Sequence, residues 1–215
     1  MKRTPRLLQD LASARVLRAQ YAVVDAWHKK ERGIADWEGA CRALPLPKSP
    51  LASLAAAVAR INAYQWHEED KARDTKASDA VIARVKREID RSNQRRVDAV
   101  EAFDSLLEGK LAAAGLTQDP ARPLSSETPG SLVDRLSILV LKHRHMSEQR
   151  SRRDITPEQK AKFSSRVQTL AEQLSDLAGC LDALVADVAG RRRRFKTYFQ
   201  LKMYNDPETN PFLRK

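Results

Sequence analysis

The chain has 215 residues, 39 Lys and Arg against 28 Asp and Glu for a formal net charge of +11, and only 7 glycines. That length suits one domain spanning residues 1–215, and scarce Gly with abundant Ala, Leu, Arg, Lys, Glu and Gln favours helix over sheet. The most apolar stretch, residues 136–141, is far too short to span a bilayer, and the Lys2, Arg3, Arg6 cluster runs through Leu7 and Leu8 into Asp10, which leaves no room for a signal-peptide core. Cys41 and Cys180 lack metal-ligand spacing, so a reduced, cytoplasmic protein with both cysteines as small core residues is expected.

Residues 5–30 carry Leu7, Leu11, Ala14, Leu17, Tyr21 and Val24 at helical spacing, with Arg15 and Arg18 outside, and predict an amphipathic first helix. Gly33 and Asp36 break the pattern, a short helical turn holds Trp37 and Cys41, and Pro45, Pro47 and Pro50 form an extended connector. Residues 1–45 are thus helix and connector, and 49–211 the helical core. Ser49 is an N-cap ahead of Pro50, and a second long helix runs from there to about Arg73. Leu51, Leu54, Val58 and Ile61 make its apolar face; Asn62, Gln65 and Glu69 continue that face, with Trp66 and Arg73 beside it.

Residues 75–78 give a break and a cap before a third long helix that reaches about Ala114. Its stripe of Ile82, Val85, Ile89, Val100, Phe103 and Leu107 is interrupted by Ser92, Asn93 and Arg96, which project into the same sector. A buried guanidinium or amide without a partner is destabilising, so these groups must meet other helices or a ligand. Two helices joined by so short a link pack antiparallel, which brings their polar halves together.

After a loop over 115–126, Thr128 as N-cap and Pro129 at the first position start a fourth long helix ending near Arg150. Leu132, Leu136, Leu139 and Val140 make one face, Ile138 and Leu141 another beside Asp134 and His145, and a helix apolar on both sides is central. Thr156, Pro157 and Gln159 form a capping box for a fifth long helix, whose Val167, Leu170, Leu174, Leu177, Leu181, Leu184 and Val188 keep an unbroken heptad spacing. That stripe is buried either within the bundle or in a homodimer. Gly190 bends the helix before the Arg run 191–194, Phe195, Tyr198 and Phe199, and Tyr204, Asn205, Asp206 and Pro207 make a turn-like tail. The expected fold is all-α, a mostly antiparallel bundle of five or six helices.

Four constellations carry chemistry. The first sets Asn62, Gln65, Trp66, Glu69 and Arg73 against Lys86, Asp90, Asn93 and Arg96, a mixture suited to an anionic small molecule with phosphate and hydroxyl groups; the alternative is a self-satisfied network that fixes helix register. The second is acidic, Glu68, Glu69 and Asp70 with Asp98, Glu101 and Asp104, and would have to share a hydrated Mg²⁺; ion pairing on a solvated face competes, and no metal ligand is assigned. In such a site Glu69, not Glu68, is expected to lie in the buried sector. The third is the start of the fourth helix, capped by Thr128, where N–H groups near Gly130 and Ser131 suit an anion, with Asp134, Lys142 and His145 toward one side; the equal alternative is an ordinary capped helix whose dipole Glu127 already complements. The fourth is the basic 191–194 run with its aromatics, which without any nucleic-acid fold motif argues against nucleic acid as partner.

Three segments together, residues 62–73 (NAYQWHEEDKAR), 86–104 (KREIDRSNQRRVDAVEAFD) and 127–145 (ETPGSLVDRLSILVLKHRH), with YNDPETNP at the tail, resemble the bacterial family called domain of unknown function 4254. The resemblance covers roughly residues 50–211 and departs at Val97, where a polar residue, usually Asn, is expected. It implies a soluble bacterial protein in the company of glycosyltransferase and surface-polysaccharide genes, and supplies no activity or cofactor. The leading functional expectation is a binder of a phosphorylated sugar-like or nucleotide-sugar ligand in glycan metabolism. The alternatives are a non-catalytic module docking on a glycosyltransferase and a Mg²⁺-dependent nucleotide pyrophosphohydrolase.

Overall fold

A computed structural model describes residues 6–44 and 46–214, and the helical spacing resolves there into α1 (Ser13–Lys30), α2 (Trp37–Ala43), α3 (Pro50–Lys71), α4 (Asp79–Ala113), α5 (Pro129–Ser151) and α6 (Pro157–Ala189). Single 3-10 turns occupy Arg6–Leu11, Glu31–Gly33 and Met203–Asn205, and the described residues contain no β-strand beyond an isolated bridge between Leu124 and Arg194. Lys2, Arg3, the expected helix start at Pro5 and Pro45 of the connector lie outside the described residues, as do the side chains of Arg6 and Leu7.

The helix boundaries follow their caps. Thr128 and Thr156 both close capping boxes, with Ser131 and Gln159 as the reciprocal partners. Ser49 sits at the N-cap of α3, yet its hydroxyl accepts no helix N–H and instead donates to Asp10, and so ties the first 3-10 helix to the start of α3. The first helix begins later than its periodicity suggested. Ser13 donates from both its backbone N and its Oγ to Asp182 of α6, at 2.9 and 2.7 Å, and residues 6–11 wind more tightly ahead of it.

Side-chain contacts fix the helix directions. Gln20 of α1 donates to the Val133 carbonyl of α5, Asn62 of α3 to Ser137 of α5, and further along the same three helices Trp27 meets His67 and His28 meets His145. Hence α1, α3 and α5 lie side by side and point the same way, α2 and its flanking residues carrying the chain back between α1 and α3. Helices α4 and α6 return in the opposite sense, α4 along α3 and α5, and α6 along α5 and α1. Consecutive long helices from α3 onward are therefore antiparallel, as their short links require. Helix α5 touches α1, α3, α4 and α6, and its Leu132, Val133, Leu136, Val140 and Leu141 are all buried.

One apolar cluster joins α1 to α6 and the chain around them. The α6 stripe is spent within the chain: Val167, Leu174, Leu177, Leu181, Leu184 and Val188 are buried and Leu170 half-buried. Cys180 is exposed and Cys41 half-buried, so neither cysteine is the core residue expected; Cys180 lines an open groove between α5 and α6. Among the described residues no helix is long and apolar enough to cross a membrane.

Helix α6 ends at Gly190 rather than bending there, and Arg191 takes a left-handed φ of 54°. The arginine run is then used as a clasp. Arg191 donates to the Gly115 carbonyl at 2.7 Å, Arg192 pairs with Asp187 at 2.8 Å, and Arg194 exchanges backbone bonds with Pro123 and Ser125. Phe195 is buried behind it, and the tail runs back along α4, where the backbone N–H groups of Thr197 and Gln200 donate to Glu108 and Glu101.

Because Leu181 is fully buried whereas Leu170 is not, Leu181→Ala is expected to lower stability by about 2–5 kcal/mol. Leu170→Ala should lower it by less, and chemical denaturation of both variants checks the order.

Candidate functional site

The polar stretch of α3 meets α5 inside the bundle. The Asn62 amide, which is buried, donates to Asp134 Oδ1 at 2.7 Å and to Ser137 Oγ at 2.6 Å, and Ser137 passes its own proton to the Asp134 carbonyl at 2.7 Å. One turn on, Gln65 donates to Asn93 of α4 at 3.1 Å. Above this floor Asn62, Gln65, Trp66, Glu69, Asp70 and Arg73 of α3, Arg96 of α4, and Ile138 and Leu141 of α5 line a cavity of about 370 Å³. Asn93 and Asp134 stand behind the lining through their bonds to Gln65 and Asn62. Burial raises the Asp134 carboxyl above its ordinary range, against the Asn62 bond and the Arg96 charge, which lower it.

Two groups on the cavity wall have unused capacity. Gln65 Oε1 is buried and accepts no hydrogen bond among the described residues. Arg96, half-buried, enters no ion pair there either, unlike Arg95, which pairs with Glu88 at 2.7 Å, or Arg144, which pairs with Asp25 at 2.8 Å.

Other residues expected in the site lie elsewhere. Lys86 and Asp90 pair with each other on an exposed face of α4, since four residues along a helix keep them together but rotate them away from Arg96. Glu69 and Arg73 pair at 2.7 Å and form the rim, with their side chains 39% and 68% exposed. Lys142 is exposed and faces a separate, wider groove of about 780 Å³ between α5 and α6. His145 lies behind Trp66, its ring stacked on the indole at 4.9 Å.

The start of α5 is occupied by the protein itself. Asp104 of α4, buried, accepts the Gly130 N–H at 2.7 Å, and Thr128 caps the Ser131 N–H at 3.1 Å. An added Cβ at Gly130 would meet the Asp104 carboxylate at 2.8 Å, so Gly130 is there for close approach and not for a foreign anion. Burial pushes the Asp104 carboxyl up to about 6 despite these bonds.

The acidic series does not assemble. Glu68 is the buried member, 5% exposed and paired with Lys71 at 2.5 Å, whereas Glu69 is at the rim, the reverse of the expectation. The reason is that α3 is covered on two sides: its Tyr64 and Glu68 flank looks toward Val85 and Glu88 of α4, and its Asn62 and Gln65 flank toward the cavity. Asp98 is exposed, Glu101 holds the tail and Asp104 holds α5.

Sequence reasoning missed His28 and His67. Of the four histidines in the chain, His28, His67 and His145 meet where α1, α3 and α5 run out together, each offering a ring nitrogen within 4.8 Å of the others. They come from three helices at wide and irregular separations, so no local motif announces them; the usable signal was that nearly all the histidine of a histidine-poor chain sat near helix ends.

The Asp104 arrangement gives a signed pH dependence. A carboxyl whose folded pKa of about 6 exceeds its unfolded value of 3.8 contributes stability that is present below 3.8 and lost as pH rises through 6. Relative to Asp104→Asn, the native chain should therefore lose stability between pH 4 and 7, read from urea midpoints across that range. Gly130→Ala is expected to cost about 1–3 kcal/mol by forcing the carboxylate aside.

No curated protein and no solved structure matches the chain. The family model described as "Protein of unknown function (DUF4254)" matches residues 52–197, from the first turn of α3 through the clasp after α6, while the YNDPETNP segment of the tail lies beyond its end. On that match, which takes in the Asn62 network, the cavity and two of the three clustered histidines, the chain belongs to the DUF4254 family.

Proposed function

We propose that the cavity between α3, α4 and α5 binds a phosphorylated, sugar-like ligand, as a sugar phosphate or the corresponding arm of a nucleotide sugar, and that the protein serves glycan or surface-polysaccharide metabolism in the cytoplasm. The observation that carries this reading is the pairing of an uncommitted Arg96 guanidinium with a bare Gln65 acceptor on one cavity wall. A guanidinium fork takes two phosphate oxygens, and a buried amide oxygen with no protein donor takes a sugar hydroxyl. Trp66 adds an apolar plane, and Asn62 with Asp134 makes a rigid floor. The volume of about 370 Å³ is toward the small end of ligand sites, roughly 300–1,000 Å³, and favours a monosaccharide phosphate over a whole nucleotide sugar. The metabolic setting rests on the family resemblance.

A second reading, docking on a glycosyltransferase, is favoured by the exposed tail, where Tyr198, Phe199, Leu201, Met203 and Tyr204 are all more than half exposed. The Mg²⁺-dependent pyrophosphohydrolase lacks comparable support, because Glu101 and Asp104 are committed to the tail and to α5.

A thermal-shift screen of sugar phosphates and nucleotide sugars separates the first two. A ligand at about 100 times its Kd should raise Tm by about 5–10 °C in the native chain, and Arg96→Gln should bind it at least about tenfold more weakly. No shift with any anion at millimolar concentration sinks the ligand reading and leaves docking.

A further inference from the structure

We infer that His28, His67 and His145 form a binding site for one divalent transition-metal ion of the zinc class, held by three imidazole nitrogens with a fourth position open. Each ring arrives from a different helix of the parallel trio α1, α3 and α5, and one nitrogen of each lies within 4.8 Å of one on both others. In a tetrahedral zinc site with bonds of about 2.0–2.1 Å, ligand nitrogens stand about 3.4 Å apart, so the rings have to close by a little over 1 Å at most. Modest side-chain rotation supplies that.

The hydrogen bonding of the three rings points the same way. His28 Nδ1 lies 2.8 Å from the Val24 carbonyl, which accepts its proton and leaves Nε2 as a lone pair, with the Glu148 carboxylate 3.7 Å from that atom. His145 Nδ1 lies 3.4 Å from Glu148 and His67 Nδ1 3.7 Å from Glu31, which puts a carboxylate near one nitrogen of each ring. All three Nε2 atoms are buried without a hydrogen-bond partner among the described residues. A carbonyl or carboxylate behind each outer nitrogen and a free inner nitrogen is the arrangement that orients histidine ligands toward a metal. Three converging, unpartnered acceptors are otherwise destabilising.

The surroundings fix the rings and suit a cation. Trp27 stacks on His67 at 4.8 Å and 3°, and Trp66 on His145 at 4.9 Å and 6°, which restricts both ring planes. Burial lowers the His67 and His145 pKa values below the ordinary imidazole range, the direction that favours the neutral ring. His28 is in the last turn of α1, where the carbonyl end of the helix favours positive charge. Asp70, on the cavity side, acts electrostatically on both His67 and His145, and the Glu148 carboxylate lies 3.7 Å from His28 Nε2 and 3.4 Å from His145 Nδ1. Imidazole sets of this kind select zinc, copper, nickel or cobalt over magnesium or calcium.

The test uses metal alone and so is independent of the sugar-phosphate reading. The untagged chain, stripped with chelator, is titrated with Zn²⁺ by calorimetry and with Co²⁺ by visible absorption, with Tm followed throughout. One equivalent of Zn²⁺ per chain, a rise in Tm and a tetrahedral Co²⁺ spectrum are expected. His28→Gln, His67→Gln and His145→Gln should each weaken binding by more than the roughly 10–100-fold typical of losing an outer partner, and His143→Gln, whose ring bonds Tyr21 instead, should leave it unchanged. Glu31 stands 3.7 Å from His67 Nδ1, and Glu31→Gln, which leaves all three ligands in place, should weaken binding severalfold, which keeps the test decisive if a histidine variant fails to fold. A wild-type chain that takes up no Zn²⁺, or whose uptake survives all three histidine substitutions, overturns the site.

Discussion

Asn62 fixes where α3 sits against α5, and the rest of the site depends on that register. Both amide hydrogens are used, one on Asp134 and one on Ser137. Sliding α3 by one residue would move its side chains about 1.5 Å along the axis and rotate them about 100°, leaving a buried amide and a buried carboxylate without partners. The register that satisfies Asn62 is also the one that sets Trp66 flat on His145 and His67 within ring contact of it. A single polar residue in an apolar stripe thus specifies the packing more tightly than its apolar neighbours, which tolerate small slips.

Much of this was legible in the chain because helices announce themselves twice, by period and by caps. Thr128 and Thr156 close their boxes where the residues placed them, and the polar interruptions at Asn62, Gln65 and Arg96 converge as interruptions in an apolar stripe should. What a helical wheel cannot give is the number of neighbours. It assigns one buried sector, whereas α3 is covered on two flanks, so Glu68 is buried and Glu69 is left at the rim. The same limit misplaced Cys180, and it hid the second use of Ser49, whose hydroxyl reaches a neighbouring turn instead of its own helix. Gly130 was read as an opening for an anion, but the anion is Asp104, 26 residues earlier.

The net charge of +11 is equally misleading until the partners are known. Most of the informative arginines are spent locally, on carbonyls at the end of α6 and on carboxylates along α4 and α5, where exposed pairs contribute little to stability but keep basic patches from acting as a continuous field. Against that background Arg96, half-buried on the cavity and in no ion pair among the described residues, carries more meaning than the four arginines in a row at 191–194. Arg96 faces the Asn62 floor, while the run clasps the 115–126 loop and seats Phe195.

The cavity and the histidines are joined through α3. Asn62, Gln65, Glu69 and Arg73 fall at the spacing that keeps side chains on one helical flank and line the cavity, while His67 is rotated from Trp66 by about 100° onto the flank that meets α1. Trp66 and Asp70 bridge the two sides: the indole is at once cavity wall and stacking partner of His145, and the Asp70 carboxylate lies on the cavity while acting on His67 and His145. A substitution at Trp66 or Asp70 therefore touches both flanks at once. No mobile segment is needed for the two halves to influence each other, because the register set at Asn62 holds both in place.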